Sequence, residues 1–182
     1  LVNIPFSDYV KQTIEIPVRK VIKQYLLHPY NLGPSPVIEK RHWLGRMFVS
    51  VASAIPFVGS DLPVDEYEKD VSDYDILKID ITFRFKREFL TQHHLLALSM
   101  MLDSVFELAL MNFCRGRFTF APSYHAAVED FFERYSLYEV DVDGEYYRRF
   151  IHKKYGALIK KELKTVGDLK LQKVLDSYPH KK

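Results

Sequence analysis

Apolar and polar positions alternate most cleanly over residues 76–87. Leu77, Ile79, Ile81, Phe83 and Phe85 share one parity there, and Lys78, Asp80, Thr82, Arg84 and Lys86 the other. Successive strand side chains point to opposite faces, so the pattern predicts a strand with one buried and one wet face, hence an antiparallel sheet. Downstream the period changes to that of a helix. Leu95, Leu98, Met101, Leu102, Val105, Phe106, Leu110 and Phe113 clothe most of a helix capped by Thr91 and running to about Phe113, with Gly116 as its stop. Only Ser99, Asp103 and Glu107 interrupt it, at i, i+4 and i+8. This spacing predicts a central buried helix with a narrow polar stripe turned to solvent. The helix is long enough to cross a bilayer, but two ionised carboxylates near the midplane would each cost roughly 2.5–3.5 kcal/mol. A core helix is the cheaper arrangement, and no membrane span is expected.

Other segments are shorter. Val18, Val21, Ile22, Tyr25 and Leu26 make one helical face, with Pro17 in the first turn and Pro29 after its end. Residues 7–15 read as a turn or short helix before it. Residues 43–55 fit a strand and a buried helix about equally. "RFTF" at 117–120 suggests a short strand. Ser123 is placed to cap a helix to about Tyr135, with Ala127, Val128, Phe131 and Phe132 on its inner side. Two more helices are expected, from Glu145 to Tyr155 and from about Leu169 to Tyr178, with Gly156 between them. The class is therefore α+β: a helix-dominant single domain with a long central buried helix and a small antiparallel sheet.

Composition narrows the function classes. In 182 residues, 47% are hydrophobic and 27% charged, which excludes a disordered chain. One cysteine, Cys114, excludes a disulfide framework and a multi-cysteine zinc site. At the end of an apolar helix it reads as a buried, inert thiol. The seven glycines are scattered, so neither a GxxxxGK phosphate loop nor a GxGxxG turn can form, and no G-x-S-x-G elbow occurs. His93 and His94 are adjacent and diverge by about 100° on a helix, which does not suit one metal. Glu139, Asp141, Asp143 and Gly144 imitate the start of a calcium loop, but position 12 is Phe150 rather than a bidentate carboxylate. A helix cap by Asp143 is the simpler reading. Asp80 with Glu162 and Lys164 does not make a nuclease, because the last two fall in a helical basic segment. No cofactor and no metal are expected. A site assembled from distant residues needs no linear motif, so a small enzyme stays open beside the non-enzymatic readings.

Charge is the strongest functional signal. The net of +2 conceals a segregation: residues 144–182 hold 11 Lys/Arg against 4 Asp/Glu, while 61–75 hold seven acids against Lys69 alone. These boundaries suggest a core of residues 1–143, including the acidic loop 61–75, and a basic helical segment 144–182 packed on it or extending from it. The basic pairs Arg148/Arg149, Lys153/Lys154 and Lys160/Lys161 are interleaved with Tyr146, Tyr147 and Tyr155. They are candidates for binding an acidic partner, and Asp65, Glu66, Glu68, Asp70 and Asp73 are candidates for binding a basic one. A chain with both surfaces can contact its own neighbour head to tail, as in a homo-oligomer or complex. The alternative is a nucleic-acid-binding module over 146–164, with cations on phosphates and tyrosines on bases.

The passage "FRFKREFLTQHHLLALSMMLDSVFELAL" (83–110), an alternating strand running into a Leu/Met-rich helix, resembles strand-to-helix segments of small neck or connector subunits of tailed-phage virions. The resemblance implies a non-enzymatic assembly subunit and transfers no site residues. The N-terminal residues lack the basic and apolar regions of a secretory signal, so the expected setting is a virion or the cytoplasm.

Overall fold

A computed structural model describes residues 12–54, 73–83, 91–120, 123–140 and 142–177. The elements are β1 (Gln12–Arg19), α1 (Lys20–Leu27), β2 (Val37–Ile38), α2 (Trp43–Ala54), β3 (Tyr74–Ile81), α3 (Gln92–Phe118), α4 (Tyr124–Arg134), a single 3₁₀ turn (Leu137–Val140) and α5 (Gly144–Ser177). The fold is α+β and helix-dominant with a three-stranded sheet. Contacts divide the chain into two compact units, Leu1–Phe106 and Glu107–Lys182. The break between them falls within α3.

In the first unit the strand order is β1-β3-β2. β1 and β3 are antiparallel, with Ile14 opposite Ile79 and Ile16 opposite Leu77. These four, with Val18 and Ile81, are buried. The wet face carries its own cross-strand pairs: Lys78 to Glu15 at 3.0 Å, and the Thr13 hydroxyl donating to Asp80 at 2.7 Å. β2 adds a two-residue parallel pair, so the sheet is mixed rather than purely antiparallel. β1 replaces the turn and the early helix start expected from the sequence. Ile14, Ile16 and Val18 already alternate, and Pro17 is tolerated because β1 is an edge strand among the described residues. The helix begins afterwards and buries Val21, Ile22, Tyr25 and Leu26. Residues 43–54 are helical, with Leu44, Phe48 and Val51 inward. β3 ends at Ile81, and the expected continuation over 84–87 lies outside the described residues.

The orientation of α3 reverses the expectation. Ser99 is buried, Asp103 accepts from Arg19 at 3.1 Å within the first unit, and Glu107 accepts from Lys154 at 2.6 Å within the second. The polar stripe therefore faces other protein groups, while Met100 (55% exposed), Met101 (40%) and Leu108 (50%) face outward. A carboxylate with an opposite charge waiting for it loses less by turning inward than one without. Those partners lie 84 and 47 residues away in sequence, beyond the reach of a periodicity argument. By length and composition α3 still meets the criterion for a membrane span.

In the second unit α3 continues through Gly116 to Phe118, so "RFTF" is helix end and turn rather than strand. Ser123 caps α4, its hydroxyl accepting from the Ala126 N–H at 3.2 Å, and Ala127, Val128, Phe131 and Phe132 are buried as expected. Phe131 meets Phe113 edge-on at 5.3 Å, and Phe132 meets Tyr147 at 5.5 Å. Asp143 caps α5 by accepting from the Glu145 N–H at 2.9 Å. α5 then runs 34 residues without a break at Gly156, merging the two helices expected there.

Candidate functional site

On α5 the cations fall into two sets with different surroundings. Glu145, in the first turn where a negative charge is favoured, takes both arginines. Arg148 Nε donates to it at 2.6 Å and Arg149 Nε at 3.0 Å. These bonds hold the Glu145 carboxyl down at about 2 and push the Arg148 guanidinium further up. Lys154 is fixed by Glu107 and sits 5.0 Å from the Phe150 ring centre, and the Glu107 hydrogen bond raises its pKa. Lys153, Lys160, Lys161 and Lys164 are exposed and have no partner among the described residues.

Helical geometry sorts them further. At 100° per residue, Arg149, Lys153, Lys160 and Lys164 fall within an arc of about 60° and extend for about 22 Å along the axis. Arg149 is 76% exposed and its bond to Glu145 is a surface bridge, which holds it weakly and leaves it able to exchange partners. Lys164 belongs to this stripe although the pairing of basic residues in sequence did not single it out. Its spacing of four from Lys160 is the signal. Of the three interleaved tyrosines, Tyr146 is exposed on the stripe. Tyr147 is buried against Phe132, and Tyr155 is half-buried beside Phe150.

A groove of about 440 Å³ lies between the end of α3 and the side of α5 turned away from the stripe. Leu158, Ile159 and Glu162 fall about 80–140° from the nearer edge of the stripe, and Lys161, about 60° from Lys164, links the two. Leu158, Ile159 and Leu163 supply the groove's apolar surface, and Lys161, Arg115 and Glu162 stand at its polar edge with the last two paired. Nothing in sequence links Arg115 to Leu158, because the packing of two helices brings them together.

The remaining candidates sort simply. Asp65, Glu66, Glu68 and Asp70 lie outside the described residues. Asp73 is exposed just before β3, and Asp75 is held by Lys23 at 2.7 Å, which lowers its pKa. His94 is buried, its Nδ1 bonded to the Thr91 hydroxyl at 2.7 Å. Cys114 is fully buried, and burial pushes its thiol up to about 12. Among the described residues no group of three or more His, Cys, Asp or Glu is arranged to hold a metal ion. Compared with known proteins, the chain matches no family model, and neither a curated protein nor a solved structure is similar to it.

Proposed function

We propose that this chain is a non-enzymatic subunit of a larger assembly, which holds an acidic protein surface of its neighbour through the α5 stripe. The observation that carries the reading is the division of the α5 cations. Arg148 and Lys154 are bound to acids of their own unit, whereas Lys153, Lys160 and Lys164 line one exposed face with nothing opposite them among the described residues. Aligned, solvated like charges repel one another and gain when an acidic surface covers them, which guides register and encounter more than it adds affinity. The same sequence carries an acidic segment at 61–75, so head-to-tail contact between copies is the simplest form of the assembly. The virion setting rests on the resemblance of 83–110 alone.

A nucleic-acid module is the second reading, favoured by Tyr146 standing exposed on the stripe. It is weaker because Tyr147 is buried against Phe132 and Tyr155 is half-buried against Phe150, which leaves less ring surface for stacking.

Light scattering at low and high salt tests the proposal. The expected result is a defined multimer that loosens as salt rises and is weakened by Lys153→Glu with Lys160→Glu. A strict monomer at every concentration and salt would overturn it. Tight binding of a single-stranded oligonucleotide, collapsing steeply with salt, would replace it with the second reading.

A further inference from the structure

The groove between the end of α3 and α5 adds an apolar component that charge alone does not require. Leu158 is 45% exposed at its mouth, and Phe120, next in the chain to the lining residue Thr119, is 87% exposed. A volume of about 440 Å³ falls within the range that small ligands fill, roughly 300–1,000 Å³. Its charged edge is cationic on balance, since Arg115 is paired with Glu162 and Lys161 has no partner among the described residues. An occupant must therefore combine apolar side chains with carboxylates.

Residues 61–72, "DLPVDEYEKDVS", have this composition. Leu62, Val64, Tyr67 and Val71 are interleaved with Asp61, Asp65, Glu66, Glu68 and Asp70 against Lys69. We infer that the groove receives apolar side chains of segment 61–72 from a second copy, entering past Leu158, while its carboxylates reach Lys161 and, one turn on, Lys164 at the near edge of the α5 stripe. This rests on the head-to-tail reading and deepens it by naming the occupant. In this arrangement charge draws the segment to α5, and the groove fixes which of its residues docks.

The test uses a fluorescein-labelled peptide of residues 61–72 titrated with the full chain, followed by anisotropy. Binding is expected, with about a tenfold weakening on Leu158→Ser, since roughly half a leucine's burial is lost. A second peptide, with Leu62, Val64 and Tyr67 replaced by serine and every charge kept, should weaken binding to the unaltered protein at least as much. This arm does not depend on the folding of a variant. Equal binding of both peptides, with sensitivity to Lys153→Glu and Lys160→Glu retained, would overturn the groove and leave the charge-based reading standing. Failure of the native peptide to bind, alongside a salt-sensitive multimer in light scattering, would do the same. A strict monomer that ignores the peptide would remove both.

Discussion

Gly45 offers a test in which two physical effects oppose each other. It lies in the first turn of α2, where alanine is ordinarily favoured over glycine by about 1 kcal/mol. A Cβ at this position would stand 2.2 Å from the Glu39 carbonyl oxygen, 3.1 Å from its carbon and 3.2 Å from Lys40 Cα. All three are backbone atoms. Ordinary contact begins near 3.4 Å, so the turn or the helix start would have to move by about 1 Å. The same Glu39 oxygen accepts from the His42 N–H at 3.0 Å, so moving it endangers the bond that leads the chain into α2. Overpacking costs about 1–3 kcal/mol, and a lost hydrogen bond about 1 kcal/mol more. Against the propensity gain, Gly45→Ala should destabilise by about 2 kcal/mol, or about 4–8 °C in Tm for a chain of this size. Gly116→Ala is the control: it is also helical, but a Cβ there meets nothing within 4 Å, so it should stabilise by up to about 1 kcal/mol. Urea and thermal melts followed by far-UV circular dichroism read both. A Gly45→Ala variant melting at or above the parent would refute the close approach.

Other outcomes follow from the ion pairs and the thiol. In double-mutant cycles, Arg19 with Asp103 should show a coupling of about 1 kcal/mol, being partly shielded, whereas exposed Lys78 with Glu15 should show almost none. Equal couplings would contradict this. The depressed Glu145 pKa means its contribution is complete above about 4.5 and is lost as pH falls toward about 2. Glu145→Gln should therefore lower stability at neutral pH, with the difference closing in acid; a gap that widened on acidification would have the wrong sign. Cys114 should react with alkylating reagents only as fast as the second unit opens, accelerating with urea, whereas labelling of the native protein at a free-thiol rate would count against its burial.

What was legible in the sequence was local. Alternation at Leu77, Ile79 and Ile81 located β3, and Ser123 and Asp143 marked two helix starts that their side chains do cap. β1 was harder because Pro17 has two meanings, a helix entry or an edge strand, and only pairing with β3 separates them. Gly156 suggested a break, yet α5 continues because one glycine costs only about 1 kcal/mol and Ile151 and Ile159 are buried on either side. The direction in which α3 faces was not legible at all. Its stripe is the same in either orientation, and what turns it inward is Arg19 and Lys154. At the candidate site the cations themselves could be listed, but not which of them are occupied.

That distinction has a consequence for any charge-reversal experiment on α5. Lys153 and Lys154 are neighbours in sequence and identical in chemistry, so a reading by composition treats them alike. Their surroundings differ: Lys154 donates to Glu107 at 2.6 Å and lies over Phe150, while Lys153 faces outward on the stripe. Lys154→Glu would set a carboxylate against Glu107 and remove the contact with the ring, so it should lower the urea midpoint measurably. Lys153→Glu should leave stability within about 0.5 kcal/mol, as substitutions of unengaged surface residues do. In light scattering the order should reverse. Lys153→Glu should weaken the multimer at protein concentrations where the chain is fully folded, while Lys154→Glu should act on assembly only as far as it unfolds the second unit. Two variants that behaved alike in both measurements would mean that the occupied and open cations of α5 are not functionally distinct, and the proposal that the open ones hold a partner would lose its basis.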